Sequence, residues 1–551
     1  MLPNIVEMQN VLMNASLQFL PELLVCAAIV LLLLLRVFRL AGRSHLGPVA
    51  LVLTLGVLFV AVCQWVGYGF NPPESSGIHT DVMFGGLLVY DHLTVFLRCF
   101  LLGFAVLMIW LTLLTGIPDR EDSADFYCLL LGATLGMMLM ASANHLMMVF
   151  IAIEMASLPS YALAGFLKGR RQSSEAALKY VVYGGGASGV MLYGISLVAG
   201  RFGTGYLPDL VQQIGMGNVI DEPFVLMGLL FILIGVGFKL AAFPFHFWCP
   251  DVFEGAAAEV GAFLSVASKG AALALLARVV LGLGTLTGKV DDFDAWSKAA
   301  DYLVPVLSIF AVVTTTFGNL AAYGQTNLKR LLAYSTIAHA GFMMMGLATM
   351  TRDGAGAVLF YLVVYLFMNL GAFTVVAFIR NLTGKEDLKD LRGFVYRSPL
   401  LVIMLGVFLL SLLGMPPLGG FSAKFQIFRV LFDSAQGYAQ AGKPQLSWTL
   451  YVVLVAGGLN TVISLFYYVK VLKVMILEKT LEEVEDRPVE TKPLPIFQAV
   501  YVSALALVVL GLGIVWNSLA VASSPEHAVN SFRAAPVEAK AAVGAMKKGA
   551  N

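Results

Sequence analysis

The sequence predicts an all-α polytopic membrane protein of about fourteen transmembrane helices, and three features predict it. Of 551 residues, 59% are hydrophobic and 13% charged, where a soluble protein carries roughly 25% charged residues. The mean hydropathy is +0.84. Apolar stretches near the length of about 20 residues that crosses a hydrocarbon core recur along the whole chain between polar segments.

These stretches fall near 18–36, 48–69, 88–116, 126–142, 144–167, 174–200, 224–248, 256–283, 302–322, 328–350, 355–380, 398–432, 448–477 and 496–520. The first has acidic and polar residues before it and Arg36, Arg39 and Arg43 after it, the reverse of a secretory signal, so it is expected to stay as a span. Several stretches exceed a straight crossing, which predicts tilt or an internal break. With the 36–47 loop taken as cytoplasmic, the loops on that side hold sixteen Lys and Arg and the opposite loops five. The excess orients the chain with both termini on the periplasmic side. The Ala-rich tail carrying Arg533, Lys540, Lys547 and Lys548 opposes this trend and is expected to be weakly ordered. Four units follow: 1–125 with helices 1–3, 126–283 with helices 4–8, 302–478 with helices 9–13, and 479–551 with the last span and tail.

Composition also excludes function classes. A net charge of +1 gives no reason to expect nucleic acid as a partner. The five cysteines form no CxxC pair and the seven histidines no HExxH cluster, so no metal, iron–sulfur or other cofactor site is expected in this chain.

Four ionisable residues stand alone in apolar surroundings: Glu154, Lys239, Lys269 and Lys424. A charge at membrane depth costs about 3 kcal/mol on insertion scales, so their presence points to ion or proton movement. In GVGFKLAAFPFHFWCPD (235–251), Pro244 must open the helix, and freed backbone at that depth has to be buried in protein or face water. Lys239 precedes this break and His246 follows it. Together they make a proton relay, or Lys239 snorkels and His246 merely satisfies a hydrogen bond. In SLLGMPPLGGFSAKF (411–425) the Gly and Pro residues break a second helix just before Lys424. Glu154 reads as a switch or as a neutral packing acid. Lys179 sits near a helix start, where a solvated lysine is the plain alternative. His339 is either a relay group or a core histidine. From Glu154 to His339 and from Lys239 to Lys424 the offset is the same 185 residues. Five helices would separate the matched positions, an odd number, so the second half would be inverted, as in secondary transporters.

At these residues the sequence resembles the antiporter-like membrane subunits of respiratory complex I, the proton-translocating NADH:quinone oxidoreductase, and among them the subunit N branch. The resemblance rests on FIAIEMASLPSYALAGF (150–166), EAALKYVVYGGGASG (175–189), GVGFKLAAFPFHFWCPDVFEGA (235–256), AFLSVASK (262–269), NLKRLLAYSTIAHAGF (327–342) and SLLGMPPLGGFSAKF (411–425). It implies two inverted five-helix repeats, each with a broken helix. It also implies a Glu154/Lys179 pair from which Lys239, Lys269, His339 and Lys424 continue a polar axis along the membrane, with protons moved as quinone is reduced elsewhere. NADH, FMN, iron–sulfur clusters and quinone would belong to partner subunits. The expected setting is a hetero-oligomer with other membrane subunits of complex I, in the lipid bilayer of a bacterial inner membrane. One departure stands out: where the family has two prolines, this chain reads GAAAEV (255–260), which adds Glu259 ten residues before Lys269.

Three functions follow in order: a proton-translocating subunit of NADH:quinone oxidoreductase, a subunit of a multi-chain cation/proton antiporter, and a structural membrane scaffold.

Overall fold

The computed structural model describes residues 13–38, 45–67, 78, 80–119, 121–216, 222–284, 297–480 and 491–516. The loop cations Arg39, Arg43, Arg120, Lys289 and Arg487 and the tail beyond 516 lie outside them. The described chain is helical throughout apart from one short hairpin. Among the described residues thirteen helices are long and apolar enough to cross a membrane, and the expected stretch 398–432 is divided in two.

The spans run α1 Leu20–Val37, α2 Gly47–Val66, α3 His92–Thr115, α4 Ser123–Ser142, α5 Leu146–Ala164 and α6 Arg171–Phe202. An amphipathic helix, α7 Leu207–Met216, follows outside the spans. The stretch around Pro244 resolves into α8 Pro223–Leu240 and α9 Trp248–Gly255. Next, α10 Ala258–Phe263, a π turn Leu264–Ser268 and α11 Lys269–Gly284 run on as a single span. The second half holds α12 Ser297–Ala322, α13 Leu328–Ala348, α14 Arg352–Thr383, the divided pair α15 Pro399–Leu413 and α16 Gly419–Gln440, and α17 Pro444–Leu477. The last span is α18 Ile496–Ile514.

Starts and stops follow local chemistry. Pro sits in the first turn of α1, α2, α8, α15 and α17, where its missing N–H costs nothing. Asp91, Asn327 and Thr351 cap α3, α13 and α14 through their side chains. On one side of the bundle, strands β1 Asp81–Met83 and β2 Leu88–Tyr90 pair with Asp81 opposite Tyr90. Bridges from Leu88 to Ala143 and from His145 to Tyr206 tie that hairpin to the neighbouring loops.

The helices form a centre and a shell. The α10–α11 span and α13 are each 94% buried and α14 is 89% buried, whereas α1, α17 and α18 are 28% buried. Side chains on the central helices are therefore enclosed within the bundle. Two buried ion pairs pin the periphery to this centre: Arg98 on α3 to Glu22 on α1 at 2.6 Å, and Arg278 on α11 to Asp91 at 2.7 Å.

Candidate functional site

Both breaks place a helix end inside the protein. At the first, Ala241 takes a left-handed conformation at φ +53° and closes α8. The open turn keeps its polar groups occupied: Phe243 N–H donates to Thr314 Oγ1 at 3.1 Å, and Trp248 Nε1 donates to the Phe238 carbonyl at 2.9 Å. Lys239 lies in the last turn of α8, buried, and its Nζ has no protein hydrogen-bond partner. Glu154 is near enough to act on it electrostatically. His246 is also buried, but it stacks among Phe243, Phe247 and Phe317, with ring centroids 4.3–5.5 Å away, and its Nδ1 has no partner. No polar contact joins it to Lys239.

At the second break Gly414 closes α15 at φ +90°, a conformation that favours glycine. Gly420 lets α16 start against that end: a Cβ there would meet the Ser411 carbonyl oxygen at 1.7 Å. Lys424, in the first turns of α16, reaches back and donates to the Leu413 carbonyl at 2.9 Å. Leu413 is the last residue of α15. Both lysines thus stand at the C-terminal end of the first half-helix, where the helix dipole favours a cation. They reach it from opposite sides of the break.

Helix α13 joins Lys424 to a third buried lysine, Lys269. Lys269 donates to Thr336 Oγ1 at 2.5 Å. One turn on, His339 Nδ1 meets Tyr361 Oη at 2.7 Å and Nε2 meets Tyr468 Oη at 3.2 Å, and Tyr468 reaches Ser335 at 2.6 Å. Another turn on, Phe342 lies under Lys424 Nζ at 4.5 Å. Thr336, His339 and Phe342 recur every three residues, so one face of α13 links Lys269 to Lys424.

The expected Glu154/Lys179 ion pair is not formed. Ser188 on α6 donates to Glu154, while half-exposed Lys179 bonds Asp251 at 2.7 Å and Glu175 at 2.9 Å. Nine residues, about 13 Å of helix, separate Ser188 from Lys179 on α6. Arg330 joins the same cluster through Asp251 at 2.6 Å and Glu254 at 2.8 Å.

Several residues of this arrangement went unnamed in the sequence reading. Asp251 sits in the first turn of α9 but offered no spacing signal of its own. Thr336, Tyr361 and Tyr468 are ordinary helix residues until His339 is placed among them. The departure at GAAAEV leaves the backbone as a proline would have it, with Ala257 at φ −61°. Glu259 is fully buried and held by Arg380 through two bonds of 2.9 and 3.0 Å. Among the described residues, no three His, Cys, Asp or Glu side chains gather to hold a metal ion.

Residues 143–441 match the family model described as NADH:quinone oxidoreductase/Mrp antiporter, transmembrane. The NADH-quinone oxidoreductase subunit N of an Anaeromyxobacter species is 38% identical over 92% of this chain and 95% of its own. A chain of respiratory complex I from Thermus thermophilus superposes with a TM-score of 0.70 at 29% identity, covering 92% of this chain and 99% of that one. A chain of the Mrp complex from Dietzia sp. DQ12-45-1b shares the fold with a TM-score of 0.77 at 18% identity, covering 97% of this chain and 100% of that one. The family match through both breaks and the relative aligned along nearly the whole chain lead to one conclusion: the chain belongs to the NADH:quinone oxidoreductase/Mrp antiporter membrane-subunit family, in its subunit N branch.

Proposed function

We propose that this chain is a proton-translocating, non-redox membrane subunit of a bacterial NADH:quinone oxidoreductase. It works in the inner membrane beside other membrane subunits, with both termini periplasmic. NADH, FMN, iron–sulfur clusters and quinone reside in those partners. Units 126–283 and 302–478 act as the two inverted halves. Glu154 and Lys179 receive the coupling signal; Lys239, Lys269, His339 and Lys424 pass the proton. In the arrangement described here Lys179 is held by Asp251, away from Glu154, so the two acids compete for one ammonium. Lys239 then feels Glu154 without a competing cation between them. His246, enclosed by aromatic rings, is given no part in the transfer.

The single observation that supports this reading is Lys239: a buried amine with no protein partner, at the end of an interrupted helix. A group so placed is costly unless it exchanges a proton. The test is Lys239→Ala in the intact complex, with protons moved per electron measured in closed vesicles. A reduced ratio in a fully assembled complex is expected; an unchanged ratio refutes the proposal. The shared fold of the Mrp chain supports a second reading, a cation/proton antiporter subunit. Sodium-driven proton exchange by the purified assembly without NADH would select it.

A further inference from the structure

We propose that Glu259 is a proton-gating carboxylate, latched by Arg380 at the entrance of a polar seam that leads between the α10–α11 span and α14 to Lys269. The inference rests on the proton-translocation reading above and adds a site to it.

The latch is built from three buried charges, Glu259, Arg380 and Lys329, and the partly exposed Glu386. Arg380 on α14 grips both oxygens of Glu259 at 2.9 and 3.0 Å and also bonds Asn381, which is anchored to the Thr115 carbonyl at 2.9 Å. Beside it Lys329 on α13 pairs with Glu386 at 2.8 Å and donates to the Ala256 carbonyl at 2.8 Å. One oxygen of the second acid, Glu386 Oε1, is buried and has no protein partner. The guanidinium therefore has a second acceptor close by, near enough to act on it electrostatically. A buried pair is poor evidence of stabilisation, because apolar side chains of the same size hold helices equally well. This cluster, with one acceptor vacant, is better suited to changing partners than to stapling.

The seam runs inward from the latch. Six residues past Glu259, about 9 Å along the helix, Asn369 of α14 donates to Ser265. Asn369 Oδ1 and the nearby Ser268 Oγ are buried without protein partners. An unpartnered buried polar group costs about 1–3 kcal/mol, which water in the seam would recover. Residues 264–268 form a π turn, a rare distortion that frequently marks functional sites, and Lys269 follows at once. One turn from Asn369, Tyr365 packs 5.2 Å from the His339 ring. The seam therefore ends on the relay itself.

The cycle conserves charge. A proton arriving from the basic-loop side binds a Glu259 oxygen and cancels its charge, and Arg380 turns to Glu386. The proton then leaves through water held by Ser265 and Asn369 to the lone pair of a neutral Lys269 Nζ, which becomes the ammonium, and the restored carboxylate recaptures Arg380.

The experiment compares Glu259→Gln, the double variant Glu259→Gln/Arg380→Gln, and Lys239→Ala in the whole complex in closed vesicles, reading protons moved per electron. Glu259→Gln is expected to lose the same share of translocation as Lys239→Ala. The double variant, free of the stranded guanidinium, is expected to assemble normally and remain equally impaired. Wild-type stoichiometry in an assembled double variant would make the pair a staple and overturn the proposal. Wild-type stoichiometry in Glu259→Gln with loss in Lys239→Ala would overturn it alone. Wild-type stoichiometry in Lys239→Ala would remove the reading beneath it.

Discussion

Replacing Arg278 and Lys239 by the same residue, methionine, separates charges that hold this protein together from charges that work in it. The bonds of Arg278 include two to the Asp91 carboxylate, two to the Ala141 carbonyl and one to Thr94, at 2.7–3.1 Å. Arg278→Met strands a carboxylate in the interior, at a cost of about 3–5 kcal/mol. Against a total stability of about 5–15 kcal/mol, that is enough to deplete the assembled complex. Lys239→Met strands no hydrogen bond, since its Nζ makes none to protein, and the flexible methionine fills most of the same space at a cost of less than about 1.5 kcal/mol. The assay is the yield and thermal dissociation of the complex in mild detergent, with translocation measured on what survives. Arg278→Met should give little complex, and that complex should translocate; Lys239→Met should give normal yield without full translocation. Asp91→Leu combined with Arg278→Met should recover the cost of the stranded carboxylate, but neither the roughly 1 kcal/mol that Asp91 contributes by capping α3 through Thr94 N at 2.8 Å nor the about 1–3 kcal/mol of the Ala141 carbonyl left without Arg278. Equal losses of yield from Arg278→Met and Lys239→Met would refute the distinction.

Two further outcomes are expected. Tyr468→Phe removes a hydroxyl that serves both His339 and Ser335; it should cost about 1–3 kcal/mol and slow translocation, while equal rates in variant and parent would exclude Tyr468 from the path. His145, between α4 and α5, caps α5 by accepting from Met147 N through Nδ1 at 3.1 Å, and burial holds its ring below the usual histidine range. The folded ring takes up a proton less readily than the unfolded one, so stability should be flat above and fall below about pH 6.5. His145→Asn, which caps without titrating, should show a shallower fall in thermal stability between pH 7 and 5; parallel curves would count against the cap.

The spans were legible because period and length act locally. Twenty apolar residues must cross, and Pro244, Pro416 and Pro417 must interrupt, whatever surrounds them. The isolated charges were legible for the same reason, since their cost depends on depth alone. Pairing was not. Lys179 has Glu175 one turn away and Glu154 on the preceding helix, and only the placement of α9 brings Asp251 to it. Glu259 stood out as a departure, yet its partner lies 121 residues away on α14, and nothing in either segment names the other. For His246 the sequence left a relay and a packing role open, and its neighbourhood in space is three phenylalanine rings.

The repeat offset gains its meaning only in three dimensions. Pro244 follows Lys239, whereas Pro416 and Pro417 precede Lys424, so the two lysines look misplaced if the break itself is what repeats. The two lysines have in common their place by a half-helix end: Lys239 lies in the last turn of α8, and Lys424 folds back onto Leu413, the end of α15. A helix C-terminus carries about half a negative charge, and a break moves that charge from the membrane surface into the interior. The end of α15 thus offers Lys424 a partial counter-charge across the gap, and Lys239 stands in the last turn before the corresponding end of α8. Thr336, His339 and Phe342 on α13 then lie between the two halves, contacting Lys269 at one end of the face and Lys424 at the other. His339 is the group on that face able to exchange a proton, and it stands between the two lysines in the order a transfer from one half to the other requires.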